Sequence, residues 1–157
     1  YLTSRGYTVI YKRPNNTEFA PDHNEIQTLL QENSLMGHID ELGEISDYDL
    51  CRHYNGQVVN LNDLIPQYNY SYNELQLRLF SNAKGFITTN GGGGILCGHF
   101  SSPVVMNIAD GKELRNNYLT NSNSYYQKIS NNSLHPVFDP NNDSDYEKIL
   151  CKIKEVF

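Results

Sequence analysis

Apolar positions along this chain fall into short runs separated by stretches with helical spacing. Thr8-Val9-Ile10-Tyr11, a β-branched and aromatic run between Gly6 and Pro14, predicts a first strand. Asn24 is placed to cap a helix over Glu25-Ile26-Gln27-Thr28-Leu29-Leu30, and Ser46 or Asp47 to cap a second helix through Leu50, Cys51 and Tyr54. Val58-Val59-Asn60-Leu61 predicts the next strand. Ser71 then opens a helix from Tyr72 to Phe80, with Ser71 and Glu74 spaced as a capping box and Tyr72, Leu75 and Leu79 on one face. Phe86 to Thr89 predicts a third strand, Pro103 to Ile108 a fourth and Pro136-Val137-Phe138 a short fifth. Helical character resumes near Lys112, and Ser144 or Asp145 caps a terminal amphipathic helix carrying Ile149, Leu150, Ile153 and Val156. Tyr1 to Gly6 reads as the last turn of a helix closing on a glycine.

Strands alternating with helices imply right-handed crossovers and a parallel sheet covered on both faces. The expected fold is one α/β domain over residues 1–157, a three-layer Rossmann-like unit with a mostly parallel sheet of about five strands. Its expected strand order is 3-2-1-4-5. The asparagine-rich connectors at 116–123 and 131–145 read as loops.

Composition narrows the partners. A net charge of −6 over 157 residues argues against a nucleic-acid or anionic-membrane surface, although a local cationic pocket is compatible with it. No apolar run is long enough to span a bilayer and no charged-then-apolar leader is present, so a cytoplasmic protein is expected. Cys51, Cys97 and Cys151 lie far apart with no C-x-x-C, which points to a reducing compartment and to neither a disulfide framework nor a zinc site. The sequons at Asn15, Asn69, Asn131 and Asn142 are what an asparagine-rich chain produces by chance.

The run Phe86-Ile87-Thr88-Thr89-Asn90-Gly91-Gly92-Gly93-Gly94-Ile95-Leu96-Cys97 passes from a strand through four glycines into a helix start. Glycines allow positive φ and close approach of backbone to a ligand, and the first N–H groups and positive dipole end of a helix attract an anion. The bland alternative is a tight turn with no ligand. Strand ends of a parallel sheet share one edge, which brings three segments together there: Lys12-Arg13-Pro14, Asn90 to Gly94, and Asp110-Gly111-Lys112-Glu113-Leu114-Arg115. Main-chain N–H groups flanked by Lys12, Arg13, Lys112 and Arg115 suit a diphosphate, and Glu113 is placed to accept from ribose hydroxyls. For the cations the alternative is a solvated surface. His99 reads as a packing or hydrogen-bonded residue and not a catalyst, and Glu18, Asp22 and His23 are weaker candidates for the same edge. The glycine spacing and position fit neither G-x-G-x-x-G nor a Walker loop, and G-x-S-x-G and a supported Cys-His pair are both missing.

The segment Leu79 to Gly92, followed by Ser102-Pro103-Val104-Val105-Met106, resembles the donor-binding half of GT-B glycosyltransferases. Val9-Ile10-Tyr11-Lys12-Arg13-Pro14 is similar to the basic strand end of polymer-synthesising members. The resemblance implies that Asn90, Gly91, Gly92, Gly93 and Gly94 lie beside the diphosphate of a nucleotide-sugar donor, with Lys12, Arg13, Lys112 and Arg115 near its charge. It implies transfer of a sugar without metal or cofactor. It further implies a missing N-terminal Rossmann-like half, preceding Tyr1, that supplies the acceptor site and the catalytic base. The isolated chain is then an inactive C-terminal half whose uncovered interface drives self-association, with Tyr68, Tyr70, Tyr72, Tyr125 and Tyr126 as candidate surface residues. The alternatives are a nucleotide-sugar 2-epimerase-like half and a non-catalytic module binding a small anion or a partner domain.

Overall fold

The computed structural model describes residues 1–12, 36–109, 119, 125–129, 134–139 and 146–157. The chain is a mixed α/β protein that divides into two compact units, Tyr1–Gln76 and Leu77–Phe157.

In the first unit, a 3-10 turn over Thr3–Arg5 ends on Gly6, whose φ of 84° is the left-handed cap that glycine adopts without a Cβ penalty. Strand β1 (Val9–Tyr11) follows. An antiparallel hairpin comes next, β2 (Met36–Ile39) and β3 (Gly43–Ser46), its turn closed by the Leu42 N–H donating to the Ile39 carbonyl at 2.9 Å. Gly43, at φ 72°, returns the chain to the ladder. Helix α1 (Asp47–His53) is capped by Ser46, whose Oγ accepts from the Asp49 N–H at 3.0 Å and donates to the Asp49 carboxylate at 2.7 Å. The Tyr11 hydroxyl donates to Asp47 at 2.8 Å and so ties the end of β1 to the start of α1. Strand β4 (Val58–Asn60) pairs parallel to β1, Val9 opposite Val58 and Tyr11 opposite Asn60. Asn60 then caps the short helix α2 (Leu61–Leu64) by accepting from the Asn62 N–H at 2.9 Å.

The unit boundary falls inside helix α3 (Tyr72–Asn82). Its Ser71 cap is present, accepting from the Glu74 N–H at 3.3 Å, and Tyr72 and Leu75 are buried on the face expected from their spacing.

The second unit is built on a three-stranded parallel sheet: β5 (Phe86–Thr89), β6 (Val104–Ile108) and β7 (Leu134–Phe138), in that order. The expected order 3-2-1-4-5 is corrected in part: the third expected strand, β5, pairs with the fourth, β6, and not with the second, β4, while the first–second and fourth–fifth pairings are as expected. The link between β5 and β6 holds one short helix, α4 (Gly92–Gly98), which suffices for a crossover to the neighbouring strand. Central β6 carries the core. Val104, Met106 and Ile108 are fully buried among Phe86, Cys97, Leu119 and Tyr126, the last on helix α5 (Tyr125–Ile129). Phe80, Phe86 and Phe100 close one end with ring centroids 5.0 to 5.9 Å apart. Val105, of opposite parity, is equally buried, and helix α6 (Tyr146–Val156) packs against β6 and β7 with Ile149, Ile153 and Val156 half-buried. The Phe157 ring lies where a Cβ on Gly85 would stand, which explains that glycine.

No helix among the described residues is long and apolar enough to cross a membrane. Several expectations lie outside the described residues: the helix over Glu25–Leu30 with its Asn24 cap, helical character near Lys112, the Ser144 or Asp145 cap, and the sequons at Asn15, Asn131 and Asn142.

The Ser46 cap supplies a test. Ser46→Ala is expected to lower stability by about 1 kcal/mol in urea unfolding. The Ser46 hydroxyl first, and then Arg52, hold the Asp49 carboxyl below its ordinary range. With the folded pKa depressed, the Asp49 contribution is present above the unfolded pKa and is lost as pH falls through the folded one. The Ser46→Ala deficit is therefore expected to be larger at neutral pH than in acid below the ordinary carboxylate range.

Candidate functional site

The parallel ladder of the second unit brings three strand ends to one edge. Beyond β5, the Asn90 N–H donates to the Asn107 carbonyl at 3.1 Å, and beyond β7 the Asp139 N–H donates to the Ile108 carbonyl at 2.9 Å. These bonds carry the register past the strands and fix where the glycine run begins. They also occupy the Asn90 N–H, so the main-chain donors available to a ligand start after it.

The four glycines have different reasons to be there. Gly91 has φ 111° and ψ −163°, a conformation that excludes L side chains, and it turns the chain from β5 into α4. Gly94 is buried. A Cβ there would lie 2.6 Å from Met106 Cε and 2.9 Å from the Thr89 carbonyl oxygen, so this glycine lets α4 settle on the sheet. Gly92 and Gly93 are exposed, with ordinary φ; nothing lies within 4 Å of a Cβ on Gly92, and only Thr88 Oγ1, at 4.0 Å, meets one on Gly93. Neither strain nor packing calls for glycine at these two positions.

The first helical bond joins the Ile95 N–H to the Gly91 carbonyl at 3.0 Å. The N–H groups of Gly92, Gly93 and Gly94 thus precede the ladder, and Gly91 brings no side chain to cap them. At 7 residues α4 is too short for a large dipole, so the chemistry on offer is that of oriented main-chain donors. No Asp, Glu, Lys or Arg occurs between Lys84 and Asp110, so the glycine segment itself carries no charge, while the Asp139 carboxylate stands at the end of β7 on the same edge.

Of the other expected site residues, Lys12 is described, directly after β1 in the first unit. Arg13, Lys112, Glu113 and Arg115 lie outside the described residues, as do Glu18, Asp22 and His23. His99 is the exposed C-cap of α4, its N–H donating to the Leu96 carbonyl at 3.1 Å. Among the surface tyrosines, Tyr72 and Tyr126 are corrected: both are buried, because each takes up an inward position on its helix. Tyr68 is exposed and Tyr70 half-buried.

Two residues of this edge escaped the sequence argument. Asp139 is 4% exposed at the end of β7, and the buried Asn107 Oδ1 has no hydrogen-bond partner among the described residues. Each stands at a strand end, which was the signal available. Asp139 is held inside the fold, and Asn107 is half-buried with its Oδ1 enclosed. Cys51 and Cys97 are buried free thiols. Burial first, and then Asp47 and Asp63, push the Cys51 thiol up, which disfavours the thiolate.

No family model, no curated protein and no solved structure matches this chain.

The glycine series separates structure from function. Gly94→Ala is expected to destabilise the fold by about 1 to 3 kcal/mol through overpacking, and Gly91→Ala by a similar ~1 to 3 kcal/mol through backbone strain. Gly92→Ala and Gly93→Ala are expected to leave stability unchanged or raise it by up to about 1 kcal/mol. Urea unfolding of the four variants is the measurement, and equal losses at all four positions would contradict this division.

Proposed function

We propose that the junction after β5 binds the diphosphate of a nucleotide-sugar, and that this chain is the donor-binding half of a GT-B-type glycosyltransferase. One observation carries the proposal. Gly92 and Gly93 face open space at the carboxyl edge of a parallel sheet, where side chains would block close approach of a ligand to main-chain N–H groups. The finer architecture, a three-layer Rossmann-like domain with a mostly parallel sheet of about five strands, belongs to the same proposal. In its favour, β1 with β4, and β5 with β6 and β7, pair in parallel. A cytoplasmic setting is also part of it, supported by the free Cys51, Cys97 and Cys151.

In the proposed reaction an acceptor hydroxyl attacks the anomeric carbon of the donor sugar. The new bond joins the acceptor oxygen to that carbon, and the bond from the carbon to the phosphate oxygen breaks. Its electron pair leaves with the nucleoside diphosphate, and the hydroxyl proton goes to a base. The contribution of this chain is to hold the diphosphate and to stabilise the charge growing on it. The N–H groups of Gly92, Gly93 and Gly94 provide the main-chain cradle, with Asn90 and Gly91 forming the turn that presents them, Lys112 and Arg115 the positive charge, and Glu113 an acceptor for ribose hydroxyls. The acceptor site and base are proposed to come from a second Rossmann-like half outside these 157 residues.

Calorimetric titration with uridine and guanosine diphosphates and their hexose conjugates tests this. Binding of at least one of them with Kd below about 1 mM is expected, together with its loss in Gly92→Val and no sugar transfer by this chain alone. Absence of binding for every compound, or undiminished binding by Gly92→Val, sinks the site. Turnover by the isolated chain contradicts the assignment of catalysis to a second half.

A further inference from the structure

Between the 3-10 turn Ile65–Gln67 and α3, the chain carries an aromatic pair that the donor site does not use. The rings of Tyr68 and Tyr70 are stacked, with centroids 6.3 Å apart and planes 7° from parallel. Tyr68 is 50% exposed, while its main-chain N–H donates to the Ile65 carbonyl at 3.2 Å and anchors the backbone beneath the ring. Tyr70 backs the exposed ring, so its orientation is set before any ligand arrives.

The segment itself is polar and uncharged, with exposed Asp63 and Glu74 on either side of it and Gln67 Nε2 donating to the Asp63 carbonyl at 2.8 Å. Gln67, Asn69, Ser71 and Asn73 are exposed, and no Asp, Glu, Lys, Arg or His occurs from Leu64 to Asn73, in a chain whose net charge is −6. An ionic ligand finds no counter-charge in this segment. A flat ring face bordered by neutral amides and hydroxyls instead matches a sugar ring, whose C–H bonds lie on the aromatic face and whose hydroxyls exchange hydrogen bonds with the amides. We propose that Tyr68, backed by Tyr70 and with Gln67 and Asn69 beside it in the chain, is a stacking platform for a neutral oligosaccharide. This platform does not depend on the donor site, and its test uses no nucleotide.

The experiment is an NMR titration of tyrosine-ring-labelled protein with neutral hexasaccharides of glucose, galactose, mannose and N-acetylglucosamine. Saturable movement of the Tyr68 and Tyr70 ring signals by at least one sugar is expected. Tyr68→Ala is expected to weaken that binding about tenfold, while Tyr68→Phe, which keeps the ring face, retains most of it. Ring signals unmoved by every sugar, or equal affinity in Tyr68→Ala, overturn the platform. Ring signals that move with protein concentration alone also overturn it, by assigning the surface to a second copy of the chain.

Discussion

The seating of α4 on the sheet is the constraint on which the second unit depends. Met106 lies in the middle of β6, fully buried, and its Cε occupies the space that a Cβ on Gly94 would need. Without a side chain at 94 the helix descends onto β5 and β6 and brings Cys97 into the same cluster as Phe86, Val104 and Ile108. A protein interior of ordinary density gives no room to restore even one methyl group at such a contact. With the helix fixed there and the Asn90 N–H committed to the Asn107 carbonyl, the chain between them has one short path, and Gly91 makes it possible at a positive φ.

That path determines what the site offers. Because the turn is forced at Gly91 and the packing at Gly94, the two glycines between them are left at the surface with their N–H groups ahead of the helical ladder. The glycine segment thus offers main-chain donors and carries no charge of its own. Main-chain donors recognise an anion by geometry, so charge from elsewhere adds strength without setting the position. Such a division suits a leaving diphosphate, whose charge grows during the reaction while its oxygens stay in place.

Much of the fold was legible because its signals are local. The strand at 9–11, the Ser46 and Ser71 caps, the strands at 58–60, 86–89, 104–108 and 134–138, and the left-handed Gly6 all follow from period, capping and turn chemistry. The hairpin of β2 and β3 was missed because Gly37 and His38 mask the two-residue alternation, although Asp40 to Gly43 carried a turn signal. Asn60 was read as strand and proved also to be a helix cap, with α2 too short to show a period. Strand order was legible only in part, with β1 beside β4 and β6 beside β7 as expected but β5 misplaced, since pairing is a long-range property that short apolar runs do not encode. At the site, sequence located the glycine run but could not divide it. Which glycine meets Met106, and which meets nothing, depends on how the helix lies on the sheet.

We propose that the main-chain N–H groups of Gly92 and Gly93 form an anion site. The most direct measurement is a titration of the protein with inorganic pyrophosphate, followed through the main-chain amide signals in NMR. Saturable downfield shifts of the Gly92 and Gly93 amides are expected, with the buried Gly98 amide at the other end of the same helix unmoved. Shifts that never saturate, or that spread evenly over the helix and spare Gly92 and Gly93, would contradict it.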